Sequence, residues 1–193
     1  AQAQAQAQAQ EQAQAQKGSF TSPINTNNNQ LQSQLDSYLV LFQTVLLPLH
    51  APDEMIDWRD QNPILGCYHK QLVQCILRLI DASRQIHNLI DSSSSSTCIN
   101  VKVEANPLVI EAITGVVSFR PKGYNSNTPK EVLLLHELET LITITNENEQ
   151  HILCNTILET IQHSIGRSNT DNIRPTQRAL QMMKNKFIIN NFL

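Results

Sequence analysis

The chain has 193 residues, 40% of them hydrophobic and 5% aromatic, which fits a soluble protein with one domain whose core is built from Leu and Ile. The low glycine count, five residues, argues against a fold rich in tight turns or phosphate-binding loops. A formal charge of −3, from 14 basic and 17 acidic residues, argues against an electrostatic nucleic-acid binder.

Compartment signals favour the cytoplasm or nucleus. The most apolar run, residues 38–49, falls short of the roughly 20 apolar residues that a membrane span needs. The N-terminal Ala/Gln repeat does not have the pattern of a signal peptide. No Cys-x-x-Cys pair and no N-glycosylation acceptor occur, so we expect reduced thiols in small apolar positions: Cys67, Cys75, Cys98 and Cys154.

The first 30 residues predict a disordered, low-complexity tail. Ala and Gln alternate over 1–16, which gives no apolar stripe at helical period, and 17–30 is rich in Ser, Asn, Thr and Pro. Association of the tract with other Gln-rich chains is the weaker alternative.

From Leu31 onward, apolar residues recur at helical spacing and predict a first helix that ends at Pro48. The polar stretch 51–66 predicts a loop. A second helix is expected from Tyr68 to Ile80, extending toward Ile90, with a stripe of Leu72, Cys75, Ile76, Leu79 and Ile80. The run 91–97, with five consecutive serines, predicts a flexible insertion.

Two helices follow that have clear start signals. Asn106 is the expected N-cap of the third, with Pro107 at its first position. The fourth begins at Thr128 and Pro129, and Glu131 completes a capping box. Their stripes are Leu108, Val109, Ala112, Ile113, Val116 and Val117 in the third, and Leu134, Leu135, Leu138, Leu141 and Ile142 in the fourth.

A fifth helix carries Leu153, Ile157 and Ile161 and is expected to stop at Gly166; a sixth enters through Pro175 and continues past Phe187. Six helices and no convincing strand predict an all-α domain over 31–193. Paired antiparallel helices suggest a HEAT-like α-solenoid with a repeat near 40 residues, an armadillo-type arrangement. The apolar last segment and first helix both lack the polar face of a solenoid cap.

Four strings carry a family resemblance. They are Val45-Leu46-Leu47-Pro48-Leu49-His50; Tyr68-His69-Lys70-Gln71-Leu72 with Cys75 shortly after; Pro121-Lys122, then Thr128 to Val132 and Glu137-Leu138-Glu139; and Gln177-Arg178-Ala179-Leu180. In this order the strings resemble the B-prime (B′) family of regulatory subunits of protein phosphatase 2A. The resemblance covers roughly residues 31–193.

The sequence departs from the family pattern at four positions and in length. Lys70 stands where the family has proline, Arg120 and Met183 where it has tryptophan, and Gln177 where it has glutamate. Insertions near 53–62 and 91–103 lengthen loops at small thermodynamic cost. Family members have further repeats on both sides, so we expect a truncated form. The family groove for L-x-x-I-x-E peptides lies in earlier repeats and is not assigned to any residue.

The resemblance implies a non-catalytic regulatory subunit in signal transduction. Such a subunit docks on the scaffold and catalytic subunits of protein phosphatase 2A and directs Ser/Thr dephosphorylation. No small molecule, nucleic acid, membrane, cofactor or metal is expected, nor any catalytic residue. The polar turn around Lys122, Lys130 and Glu131 is the expected partner contact.

Other interpretations of single residues remain open. His136 and Glu139, three apart, could ligate a metal, but no second ligand group accompanies them. Thr128 fits a proline-directed phosphorylation site, although capping explains it better and the two are compatible. A generic HEAT-like adaptor that binds something other than a phosphatase is the alternative function. An enzyme on a helical bundle is the third, with no constellation in its favour.

Overall fold

The computed structural model describes residues 23–51, 65–94, 104–120, 128–166 and 173–192, and in these ranges every regular element is helical. Seven α-helices follow one another: α1 Pro23–Leu41, α2 Leu65–Ser94, α3 Pro107–Ser118, α4 Thr128–Ile142, α5 Glu147–Gly166, α6 Ile173–Met182 and α7 Lys186–Phe192. The predicted all-α class is confirmed for the described part of the chain.

The end of α1 changes pitch before it stops. A wide π turn over Phe42–Leu46 passes into a tight 3-10 turn over Leu47–His50, which contains Pro48. Proline lacks the N–H that a continuing α-helix would need, so an end here is expected. The two turns place Phe42 and His50 at 0% exposure. The chain therefore continues two residues beyond the predicted end and brings a histidine into the interior.

Helices α1 and α2 both extend beyond their predicted bounds. Helix α1 begins at Pro23, inside the segment predicted as a tail; residues 1–22 lie outside the described ranges. Helix α2 runs through to Ser94, so its backbone includes the first serines of the expected insertion. Serine lowers helix propensity only modestly, and a helix that is already packed along one face can extend through it. Residues 95–103 lie outside the described ranges.

The starts of α3 and α5 are fixed by side-chain caps. The Asn106 side chain accepts a hydrogen bond from the Leu108 N–H at 2.9 Å, with Pro107 at the first position, as the sequence predicts. At α5, Asn146 and Glu149 form a reciprocal capping box, each side chain accepting from the other's backbone N–H at 2.9 Å. Helix α4 begins at Thr128 and α5 ends at Gly166, both near their predicted positions.

The predicted sixth helix is two helices. Asn185 follows the last turn of α6, and its side chain accepts from the Phe187 N–H at 3.0 Å, so it acts as the N-cap of α7. Ile188 and Phe192 of α7 are buried, whereas Ile189 is exposed. An amide side chain that satisfies the free N–H groups makes it easy for a helix to end and restart here.

The helices pack around one hydrophobic core. Helix α3 packs against both α4 and α5, and α6 packs against α4 and α5. Residues from each of these helices are fully or almost fully buried, among them Ile113, Leu138, Leu141, Ile157 and Met182. The stripes predicted for α3 and α4 therefore do face the core.

Four apolar side chains near the end of α1 are exposed at the surface. On α1 and the turns after it, Val40, Leu41, Val45 and Leu49 are 43–55% exposed. No helix in the described ranges is both long and apolar enough to cross a membrane.

Replacing Leu135 by Asp tests the assignment of the core face of α4. The Leu135 side chain is 2% exposed, so the substitution places an unpaired charge in the core. We expect a loss of about 4 kcal/mol or more of unfolding free energy, measured by urea denaturation with circular dichroism. Leu89→Asp on α2 is the matched control, because that leucine is 56% exposed, and it should leave the midpoint almost unchanged. Equal midpoints for the two variants would show that the face is misassigned.

Candidate functional site: a buried His-Glu-His cluster

Two histidines share one buried carboxylate. His50 Nε2 lies 3.1 Å and 3.2 Å from the two carboxylate oxygens of Glu137, and His69 Nε2 lies 3.1 Å from Glu137 Oε2. His50 and Glu137 have no exposed surface, and His69 is 6% exposed. Hydrogen bonds between a carboxylate and imidazole are strong in so enclosed a place, and costly to break.

The cluster unites three of the four motif strings. His50 closes the first string at the end of the 3-10 turn, His69 lies in the second on α2, and Glu137 lies in the third on α4. The pairs are 87 and 68 residues apart in the chain. Sequence reasoning noted each residue but did not bring them together. The available signal was that His50 ends an otherwise apolar string and that Glu137 lies four residues before Leu141, which belongs to the predicted core stripe of its helix.

The hydrogen bonds of His50 define its protonation. Its Nδ1 faces the Leu47 carbonyl oxygen at 3.0 Å, and its Nε2 faces the carboxylate of Glu137. Since both nitrogens face acceptors, both must donate if Glu137 is ionised, and only the doubly protonated ring can do so. Burial alone would raise the pKa of Glu137, but the hydrogen bonds and positive charges of His50 and His69 outweigh it, and the pKa is lowered. The cluster is therefore an ion pair between His50 and Glu137, and the imidazole of His69 donates a further hydrogen bond to the same carboxylate.

Side chains from α2 and α4 also hold the turn that carries His50. The hydroxyl of Tyr68 donates to the Leu49 carbonyl at 2.9 Å, and Lys130 Nζ donates to the Ala51 carbonyl at 2.7 Å. The ring of Phe119 stacks on His50, with centroids 6.1 Å apart. The second and third strings thus supply donors to consecutive parts of the turn, which together with the His50 bonds fix it in place.

Two of the three residues expected to contact a partner are buried within this chain, and the partner contact itself stays a prediction. Lys130 and Glu131 are 3% and 2% exposed. Lys130 binds Ala51, and Glu131 accepts a hydrogen bond from the Ser164 hydroxyl at 3.3 Å. Both helix-start charges face inward because the first turn of α4 packs against its neighbours, so in this structure neither presents its charge on the surface. Lys122 lies outside the described ranges, and its contact stays a prediction.

The fourth string joins the same helix through Arg178. On α6, Arg178 forms an ion pair with Glu139 and donates to His136 Nδ1 at 2.9 Å, and Asn185 Nδ2 donates to Glu139 Oε1 at 3.0 Å. Since arginine only donates, the ring nitrogen that faces it accepts. Burial and the Arg178 charge lower the pKa of His136, although Glu139 opposes them.

The metal interpretation of His136 and Glu139 gains no support. The two side chains do come together, but around a guanidinium. Among the residues that the structure describes, no three His, Cys, Asp or Glu side chains are grouped as metal ligands.

A third network surrounds Glu149. Its carboxylate accepts from the backbone N–H groups of Asn106 and Asn146, at 3.0 Å and 2.9 Å, and from Arg84 at 3.1 Å. One buried side chain thus links α2 to the starts of α3 and α5. A polar cleft of about 240 Å³ lies beside it, lined in part by Arg84, Asn106 and Glu149. The spacing of Asn146 and Glu149 was the sequence signal for this cap.

The polar side chains of these three clusters bind groups of other elements in the same chain. Glu137, Glu139 and Glu149 each accept from donors within the chain, so their lone pairs are largely committed.

Two of the cysteines, Cys67 and Cys75, are exposed, contrary to the expected apolar positions, and Cys154 is partly buried.

Comparison with known proteins found no match to this chain among family models, curated proteins or solved structures.

Replacing Glu137 by Gln should destabilise the fold by about 3 kcal/mol at neutral pH, because the carboxamide cannot accept from both histidines. A carboxyl whose folded pKa is lowered adds stability above its ordinary value of 4.5, and that contribution is lost as pH falls through the folded value. The difference in unfolding free energy between parent and variant should therefore shrink below that pH. Glu159→Gln, at an exposed position of α5, is the control and should show no difference. A pH-independent gap would contradict the ion-pair assignment.

Proposed function

We propose that this chain is a non-catalytic regulatory subunit of protein phosphatase 2A, of the B-prime type, which docks on the scaffold and catalytic subunits and directs Ser/Thr dephosphorylation. One observation carries the proposal. The four strings on which the resemblance rests lie in different elements, and they meet in space through the His50–Glu137–His69 cluster and the Arg178 network.

This convergence matters because helices of one core touch whatever their sequence, whereas polar contacts between them depend on the residue types present. Here the residues that make the strings unusual are the ones in contact: a histidine after an apolar Leu-Pro-Leu, a histidine after tyrosine, and two glutamates in a leucine-rich helix. Their contacts are hydrogen bonds that need these residue types. The strings are therefore joined by polar contacts in the fold, which supports the proposal that they belong to one family pattern.

The departures from the family pattern are compatible with the same packing. Lys70 and Gln177 are exposed, so neither replaces a core residue. Arg120 donates to the Thr160 carbonyl at 3.1 Å, and Met183 packs against the core. A polar or flexible side chain can thus occupy a site of a larger ring.

A HEAT-like solenoid is part of this proposal. Its physical support is the packing of helices that lie one or two positions apart in the chain, with α3 against α4 and α5 and α6 against α4 and α5. A solenoid offers long lateral surfaces and needs no reaction centre of its own, which suits a subunit that positions a phosphatase. The compartment that fits this role is the cytoplasm or nucleus.

A generic helical adaptor is the second candidate. The burial of Lys130 and Glu131 favours it, because the polar turn that carries these charges was the expected contact with a phosphatase partner. An adaptor of this kind would fold alone and bind something other than a phosphatase.

Reconstitution with purified phosphatase subunits tests the proposal. We expect the tagged chain to retain the scaffold–catalytic heterodimer of protein phosphatase 2A in a pull-down and to co-elute with it from a sizing column. The Leu135→Asp variant should lose this retention together with its fold, and Leu89→Asp should fold as the parent does. If the parent gives a cooperative helical unfolding transition yet retains neither subunit, the phosphatase proposal is wrong and the adaptor is favoured.

A further inference from the structure

Apolar side chains are exposed at the beginning of the described fold. On α1 and the turns after it, four of them are 43–55% exposed: Val40, Leu41, Val45 and Leu49. Leu41, Val45 and Leu49 follow one another at intervals of four residues, which keeps them on one side of this segment. These four residues are called the first end below.

Apolar side chains are exposed at the close of the fold as well. Ile173 and Leu180 of α6 and Ile189 of α7 are 44–61% exposed. Residues seven positions apart lie on one face of a helix, so Ile173 and Leu180 share a face of α6. These three residues are called the last end.

The two ends cannot cover each other within one copy of the chain. Helix α1 packs mainly on α2 and α3, whereas α6 packs mainly on α4 and α5, and α7 on α5. The helices that carry the two ends therefore have no main packing partner in common. An apolar contact between the ends would need either the core to come apart or a second molecule.

The first end is acidic. Residues 23–51 contain no lysine or arginine, and their one acidic residue, Asp36, is exposed and lies one helical turn before Val40. Gln43, which is exposed next to the apolar residues, donates a hydrogen bond to Glu111 Oε1 of α3 at 3.1 Å. Two carboxylates therefore adjoin the first end.

The last end is basic. Residues 173–193 contain no aspartate or glutamate. Arg174 is exposed and follows Ile173, and Lys184 is exposed four residues after Leu180. The two ends thus offer apolar surfaces with charges of opposite sign beside them, which is the arrangement that steers and orients partners in protein interfaces.

We propose that the first end of one copy of this chain binds the last end of a second copy, so that the protein associates with itself head to tail. The contact removes both apolar surfaces from water and sets the carboxylates of Asp36 and Glu111 against Arg174 and Lys184. A contact between two different surfaces leaves one of each free on the dimer, so it continues into longer chains or closes into a ring. The inference does not rest on the phosphatase proposal.

Pairing of like ends is less favourable. Two last ends would bring Arg174 and Lys184 against their own copies with no acidic residue in 173–193 to compensate, and two first ends would bring carboxylates together. The head-to-tail contact rests on four apolar side chains from one copy and three from the other. Such a surface is small for a protein interface, so the association depends on concentration.

The first test is sedimentation velocity of the full chain over a wide range of concentration at low salt. The sedimentation coefficient of the parent should rise with concentration. Val45→Lys places a cation opposite the basic last end, and Leu180→Lys places one within the apolar contact, so each variant should stay monomeric. Leu89→Lys is the matched control, because Leu89 is 56% exposed on α2 and belongs to neither end, and it should behave as the parent does. A parent that is monomeric throughout would overturn the proposal.

The second test is an equimolar mixture of Val45→Lys and Leu180→Lys. Each variant keeps the end that the other has lost, so the mixture should form dimers and nothing larger, although each variant alone is monomeric. A monomeric mixture would overturn the proposal, and so would self-association of Leu180→Lys, which would mean that first ends pair with each other. The replaced side chains are exposed, so circular dichroism should show the unfolding transition of the parent. Leu41→Lys and Ile173→Lys replace a variant that lacks this transition.

Discussion

One buried carboxylate organises this structure. Glu137 lies inside a leucine-rich helix with no exposed surface, and it is tolerated there because two imidazole N–H groups reach it from elements far away in the chain. An isolated ionised carboxylate in that position would cost several kcal/mol, so the fold depends on His50 and His69 arriving together. The turn after α1, helix α2 and helix α4 are thereby fixed relative to one another in a way that apolar packing alone would not specify.

The same logic recurs at two other places. Glu149 ties the starts of α3 and α5 to α2, and Arg178 ties α6 to Glu139 and His136 on α4. In each case a charged side chain from one helix satisfies groups on another, while Leu and Ile supply the area of contact. The apolar stripes provide the stability, and the polar links specify which helices meet and at what register.

Periodicity in the sequence predicted most of the helices because their stripes are regular and their starts have local chemistry. Asn106 with Pro107 and the stop at Gly166 are examples of signals within one or two residues of the boundary they set. The division between α6 and α7 was missed because Asn185 interrupts a stripe that continues across it. The His50–Glu137–His69 cluster could not be predicted from spacing, since its members are 68 and 87 residues apart and only the tertiary fold joins them. The burial of Lys130 and Glu131 could not be predicted for a related reason: a charged residue is expected at the surface unless its buried partner is known.

The central claim is that the shared carboxylate couples the second motif string to the third. A double-mutant cycle of His69→Asn and Glu137→Gln, measured by urea denaturation at neutral pH, tests it most directly. The account predicts that the two losses fail to add, with an interaction energy of about 2 kcal/mol. Additivity to within about 0.5 kcal/mol would show that the two residues do not share a bond, and would contradict the account.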